Sequence, residues 1–542
     1  MGSRWLIHLY TSYCSYPLNV VFIWYSIIIQ IHIVKPQNLS LLLFLSVVRL
    51  HNLPSKQERN MNTELKKGAL IEIDIEDLAF GGRGVARLDN FVWFVERGIP
   101  GQRVAARIRR LRKNYGEGVV EQIIKPSPHQ IKPPCPYFGT CGGCQLQHLQ
   151  YEIQVEFKTK QIHDILSRIG GFQQTVIHPT LPADEIYGYR NKMEFTFSER
   201  RWKTQADPPE KLKDFALGLH MPGRFDKVLD IDGCLLQSER CNTIFLTTKK
   251  MVLETSLKPY NEKTHEGFWR FLVIREGKQT KDLMINFFTT NQDATKGEKA
   301  LDQIVHQLLD NDLEPMTILH SKTDRRGQAA VCESERLLLG TGKIKERIHD
   351  KVFEISPSAF FQTNTMQAQK LFDAIADLAD CRRSDIVYDL YSGTGAIGIS
   401  IADKVEQVLG IEVIESAVVD AKHNAELNNL DNVQFVLADM KNALKKAGDL
   451  IKAYGAPDTV ILDPPRGGTH PRTIQGLLRL SPPKIVYVSC NPTILARDLK
   501  ILCEHLYTLK AVQPIDMFPH TGHIEVVALL IRNHESVFVR SF

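Results

Sequence analysis

The chain has 542 residues, enough for about three domains at roughly 150 residues each. Its 43% hydrophobic and 24% charged residues are ordinary globular values that allow large buried cores. Ten cysteines at uneven spacing exclude a disulfide framework and point to a reducing, cytoplasmic setting, and the net charge of +5 is modest but unevenly placed.

The first 60 residues differ from the rest. Residues 5–34 lack Asp, Glu, Lys and Arg, and "VVFIWYSIIIQIHIV" is long enough to enter a bilayer. The segment has neither a basic start nor a small-residue cleavage site, which disfavours a secretory signal. It reads as upstream sequence before a conventional soluble start at Met61, outside the functional protein; a membrane anchor and a buried hairpin are the alternatives.

From residue 65 the pattern is β. Apolar and polar residues alternate between Gly-rich turns through "GQRVAARIRRLRK", which suggests a small barrel over residues 61–127. Val104, Ala106 and Ile108 face inward in this reading, with Arg103, Arg107 and Arg109 on or near the exposed face. Taken alone, the basic run fits a phosphate-facing patch or a solvated strand edge equally well.

A Pro-rich linker leads to "CPYFGTCGGCQLQHL", where Cys135, Cys141 and Cys144 are spaced C-x5-C-x2-C. Three thiols on a Gly-rich loop can converge on one metal centre, either a tetrahedral zinc or an iron–sulfur cluster with a distant fourth thiolate. Cys234, at a turn after a strand-like run, is the candidate fourth ligand, and Cys241 competes with it. The spacing is not the C-x3-C-x2-C of radical enzymes that cleave S-adenosylmethionine. Residues 128–352 then read as a mixed α/β segment in which Arg190, Asn191 and Lys192 are either RNA contacts or ordinary sheet surface.

The last third, 353–542, alternates strands and helices, as a doubly wound Rossmann-like sheet does. Gly393-Thr394-Gly395 is followed by Glu412 at a strand end, Asp439 ends "VQFVLAD", and Asp463 opens a rigid Asp-Pro-Pro turn. An acid at that place after a glycine turn suits a ribose, of a dinucleotide or of S-adenosylmethionine. The Asp-Pro-Pro turn favours the methyl donor. Further on, Val486-Tyr487-Val488 delivers Cys490 onto a Ser-Cys-Asn-Pro turn, where it is either a buried thiol or a nucleophile.

The ordered motifs "FFQTN", "LYSGTG", "LDPPRGG", "SCNP" and "FPHTGHIE" resemble those of RNA uracil-5-methyltransferases, over about residues 61–530. The first β segment resembles a TRAM domain, an OB-like RNA-binding barrel. That barrel with the cysteine segment resembles the 23S ribosomal RNA branch of the family; the alternative substrate is tRNA. The resemblance implies a [4Fe-4S] cluster on Cys135, Cys141, Cys144 and Cys234, S-adenosylmethionine as donor, and a monomer with no obligate protein partner. Carried over residue by residue, it implies donor binding by Gln362, Tyr391, Glu412, Asp439 and Asp463. Ala396 stands where some relatives carry Asn.

Uracil carbon 5 is too poor a nucleophile to take a methyl group directly, so a thiolate must first add at carbon 6. Cys490 matches the family's nucleophile. Glu525 matches the base that removes the carbon-5 proton, and its place in the apolar run "IEVVALL" argues for a raised pKa. His520 and His523 are the neighbouring groups that would inherit that role.

Overall fold

Alternation governs the N-terminal sheet. In this computed structural model, which describes residues 65–204, 207, 214–310 and 317–533, the strands Leu70–Asp74, Asp77–Ala79, Arg83–Leu88, Phe91–Glu96, Arg103–Leu111 and Tyr115–Lys125 form one six-stranded sheet. Val104, Ala106 and Ile108 are buried in its core with Trp93, while Arg103 and Arg109 are exposed, as the period of two requires. Gly116 makes room for the indole: a Cβ there would lie 2.3 Å from the Trp93 ring. Arg103 is paired with Glu72 and Arg107 with Glu121, whereas Arg109, Arg110 and Arg112 carry no ion pair among the described residues. The apolar stretch 1–60 lies outside the described residues. Among those described, no helix is long and apolar enough to cross a membrane.

The middle of the chain builds an eight-stranded sheet that includes Lys192–Ser198, Ala216–Met221, Arg224–Asp230, Trp269–Glu276 and Leu283–Thr289. The helices Glu239–Glu254 and Ala294–Asp310 share one core with it, through Phe245, Leu301 and Ile304 against Phe195, Trp269 and Phe287. Asn191 is committed to structure rather than offered to RNA. It is buried, and its Nδ2 donates to the Gln362 carbonyl at 2.8 Å and to Thr365 Oγ1 at 3.0 Å.

The C-terminal sheet runs Val433–Leu437, Gln407–Glu412, Ile386–Leu390, Thr459–Leu462, Lys484–Ser489, Glu525–Arg532, Tyr507–Ile515 and Val176–Ile177. The first five strands are parallel, and Glu525–Arg532 is antiparallel to both its neighbours. Successive residues serve opposite faces: Val387 and Val408 pack under Thr365–Ala379 and Glu415–Leu427, while Tyr388 and Leu409 pack under Pro471–Leu480 and Pro492–His505. Two covered faces explain why these strands are apolar throughout rather than alternating. The strand Val176–Ile177 joins this sheet and the helix Tyr151–Ile165 its core, although both lie within the segment 128–352. Chain order reverses between Ile386–Leu390 and Thr459–Leu462, and a crevice opens at the carboxyl ends of strands at such a reversal.

Candidate active site

The glycine turn stands at that reversal. Past Leu390 the backbone enters the left-handed region at Tyr391 (φ 65°), Gly393 (55°) and Gly395 (80°). A Cβ on Gly395 would lie 2.5 Å from the Phe435 ring, so only glycine lets the turn close on the sheet. Glu412 braces the turn: Oε2 accepts from the Gly393 N–H at 3.0 Å, and Oε1 from those of Val413 and Ile414 at 2.7 and 2.9 Å. Tyr391 lies beside Thr473 and Asp439, its phenol pushed up mainly by burial. Asp439 caps the next helical turn by accepting from the Lys441 N–H at 2.9 Å. Gln362 sits two residues before Asn364, the N-cap of Thr365–Ala379. Its side chain makes no hydrogen bond to the other four expected donor residues in the described part of the chain.

Asp389 was not anticipated. It is fully buried on the strand Ile386–Leu390, where its Oδ2 accepts from the Gly398 N–H at 3.0 Å and its Oδ1 has no partner. Burial, with Asp463 and Glu412 adding, pushes its carboxyl up to about 7. The signal was present as the acid in "VYDLYSGTG", two residues before a turn that drew attention to its glycines.

Cys490 ends the strand Lys484–Ser489 on a locked turn. The Asn491 N–H donates to Ser489 Oγ at 3.1 Å, and the Asn491 side chain caps Pro492–His505 by accepting from the Ile494 N–H at 3.4 Å. The antiparallel strand pairs Val526 with Ser489, which brings Glu525 level with the cysteine. Charge surrounds the half-buried thiol: burial, then Glu525, and also Asp463 push its pKa up, while the nearby Arg466 opposes them. Glu525 is itself buried, and its carboxyl is raised well above the usual range by burial and then by Asp463. Asp463 is raised to about 6 by burial. Arg466, the cation that offsets all this negative charge, stands in the quoted motif "LDPPRGG" but was given no role.

The two histidines part company. His523 Nδ1 lies 2.9 Å from Arg466 Nη2, and its ring is held near neutral, at about 4, mainly by burial. His520 stacks on Tyr187 with centroids 4.5 Å apart and meets Gln154.

Cys135, Cys141, Cys144 and Cys234 line one cavity of about 420 Å³, with Arg190, Arg275 and Phe360 also in its wall. Burial is the leading cause that raises each thiol, to about 12 for Cys144 and about 11 for Cys234, and Cys144 feels the other three. Cys241, the competing candidate, lies in the first turn of Glu239–Glu254 and interacts with Glu276 instead. Among the described residues, no group of three or more His, Cys, Asp or Glu is gathered tightly enough to hold a single metal ion.

The model of the tRNA (uracil-5-)-methyltransferase family matches residues 272–533, and that of the TRAM domain matches 64–120. An uncharacterized RNA methyltransferase of Chlorobaculum tepidum is 41% identical over 477 residues, covering 86% of this chain and 97% of that protein. One from Caldanaerobacter subterraneus is 36% identical, covering 86% and 99%. Among solved structures, the Pyrococcus abyssi tRNA (uracil-54, C5)-methyltransferase in complex with S-adenosyl-L-homocysteine is 32% identical. It superposes with a TM-score of 0.64 over 85% of this chain and 99% of that one.

Proposed function

This chain belongs to the tRNA (uracil-5-)-methyltransferase family, and from that premise we propose that it methylates carbon 5 of a uridine in 23S ribosomal RNA, with Cys490 as nucleophile and Glu525 as base. The observation that carries the reading is the meeting of Cys490, Glu525, Asp463 and Arg466 at one end of the sheet. The Cys490 thiolate, stabilised by Arg466, adds to carbon 6 of the uracil, and the electron pair moves onto carbon 5 and the carbon-4 carbonyl. S-adenosylmethionine supplies the methyl group that this carbon attacks. Carbon 5 then carries both hydrogen and methyl. Glu525 takes the proton, the double bond re-forms, and the Cys490 thiolate leaves. Burial and Asp463 raise the Glu525 carboxyl well above the ordinary range, and a carboxylate whose pKa is raised is a stronger base.

Glu412 suits the donor's ribose. Three backbone N–H groups occupy three of roughly four lone-pair positions on its carboxylate, leaving one on Oε2 for a hydroxyl. Tyr391, Asp439, Asp463 and Gln362 complete the set, with Asp439 near the adenine amine. Arg109, Arg110 and Arg112 offer the backbone-binding charge, and the target base must leave its stack to reach the thiol.

Cys135, Cys141, Cys144 and Cys234 line one cavity, which supports the [4Fe-4S] cluster that the family resemblance implies, held by these four thiolates. Anaerobically purified protein is expected to contain iron and sulfide, with a broad visible absorbance lost on Cys141→Ser. Stoichiometric zinc without that absorbance would contradict the assignment.

A second reading, tRNA as substrate, is favoured by the Pyrococcus abyssi relative, which shares this architecture over 99% of its own length. Labelled donor offered with unmodified 23S ribosomal RNA and, separately, with unmodified tRNA decides between them. The expected result is labelled 5-methyluridine in the ribosomal RNA. Label in tRNA alone supports the second reading, and label in neither defeats both.

A further inference from the structure

Five carbonyls of the loop before Glu525 accept from donors elsewhere in the chain. The Asp516 carbonyl accepts from Gln367 Nε2 at 2.9 Å, that of Met517 from Asn364 Nδ2 at 3.0 Å, and that of Pro519 from Tyr189 Oη at 3.2 Å. The His520 carbonyl accepts from the backbone N–H groups of both Gln145 and Leu146, each at 2.9 Å, and that of Gly522 from the Gly81 N–H at 3.2 Å. Surface loops usually leave such groups to water. This one is fastened to a helix start, the thiol segment and a turn of the N-terminal sheet.

Gln154, fully buried on the helix Tyr151–Ile165, ties these pieces together. Its Oε1 accepts from the His520 N–H at 3.1 Å, and its Nε2 donates to the carbonyls of Leu146 and Leu149 at 3.0 and 2.7 Å. One turn further along the helix, Lys158 forms a fully buried ion pair with Asp516 at 2.6 Å. His520 itself has φ 65°, a conformation that a residue with a side chain keeps only when its surroundings impose it. From the other side, the contact with the N-terminal sheet leaves no room at Gly522, where a Cβ would lie 2.2 Å from the Gly81 carbonyl carbon.

We propose that Gln154 is a positioning residue for Glu525: by fixing His520 to the segment that follows Cys144, it braces the loop leading into the strand whose register sets the base level with Cys490. The inference rests on the reading of Cys490 and Glu525 as nucleophile and base. Gln145 directly follows Cys144, so a disturbance of the thiol loop passes to the base through the same bonds. Thiolate addition and methyl transfer use Cys490 and the donor crevice, whereas proton removal is the step that uses the Glu525 carboxyl as a base. A loosened loop therefore slows the second stage selectively.

The test is single-turnover kinetics on the full chain with labelled S-adenosylmethionine and RNA, following formation and release of the covalent protein–RNA species. In Gln154→Met, of similar size but without the amide, formation is expected near the wild-type rate and release slower by about tenfold to a hundredfold, the cost of a misplaced catalytic group. Gly522→Ala keeps Gln154 but displaces the loop from the Gly81 side, and it should show the same split; it decides the matter alone if Gln154→Met does not fold. Release at the wild-type rate, or a proportional loss of both stages in folded protein, overturns the proposal. Glu525→Gln serves as the control. If it accumulates the species and the two loop variants do not, the positioning role fails while the mechanism stands; if it does not, the mechanism itself fails.

Discussion

Cys490→Ala is expected to abolish methylation while leaving donor binding intact. Addition at carbon 6 is what makes carbon 5 reactive, so loss of the thiolate removes the chemical step rather than trimming it. A fall on the order of 10⁴-fold or more is expected, the scale seen when a covalent nucleophile is deleted. Folding should be little affected. The thiol is only half-buried, and its turn is held by Ser489 and Asn491 rather than by sulfur. The donor residues lie at other strand ends and, for Gln362, ahead of the helix Thr365–Ala379, so titration calorimetry with S-adenosylmethionine should give a wild-type affinity. Turnover within about a hundredfold of wild type would show that methyl transfer does not pass through Cys490.

Glu525→Gln should trap the reaction halfway. The amide keeps the size of the side chain and some of its hydrogen bonding but cannot take the carbon-5 proton, so the methylated base stays joined to Cys490. Denaturing electrophoresis should show a protein–RNA band that forms at close to the wild-type rate and decays slowly, as water substitutes for the base. The wild-type enzyme should show a related pH dependence. Because the Glu525 carboxyl is raised well above its ordinary value, lowering the pH through that raised value protonates the base and slows release, and raising the pH restores it. The trapped variant should lack this dependence. Release at the wild-type rate from Glu525→Gln would move the base to another group.

Much of this site was legible in the sequence because strand ends announce themselves. Glu412, Asp463 and Cys490 each follow an apolar run and precede a turn, and the fold places all three at the carboxyl edge of one sheet. Spacing grouped Cys135, Cys141 and Cys144, the family resemblance added Cys234 over Cys241, and all four line one cavity. What stayed hidden depends on three dimensions. Arg466 is one basic residue in a glycine-rich turn, and its importance comes from standing near the Cys490 thiol and the Glu525 carboxyl, both distant in sequence. Asp389 looks like an ordinary strand residue until the fold buries it beneath the glycine turn. Asn191 read as a possible RNA contact because polar residues in strands usually face solvent, yet the fold turns it inward to brace the Gln362 loop. The passage of residues 151–177 into the C-terminal layer leaves no periodicity that a single sequence displays.

The most direct test of the account is to map the covalent species. Glu525→Gln incubated with S-adenosylmethionine and substrate RNA, then treated with nuclease and trypsin, should yield the peptide Ile485–Arg497 carrying a methylated uridylate on Cys490. The modified mass should be absent when the donor is omitted and absent from the Cys490→Ala, Glu525→Gln double variant. A methylated nucleotide on any other residue, or methylated RNA released with no covalent species on that peptide, would contradict the central claim.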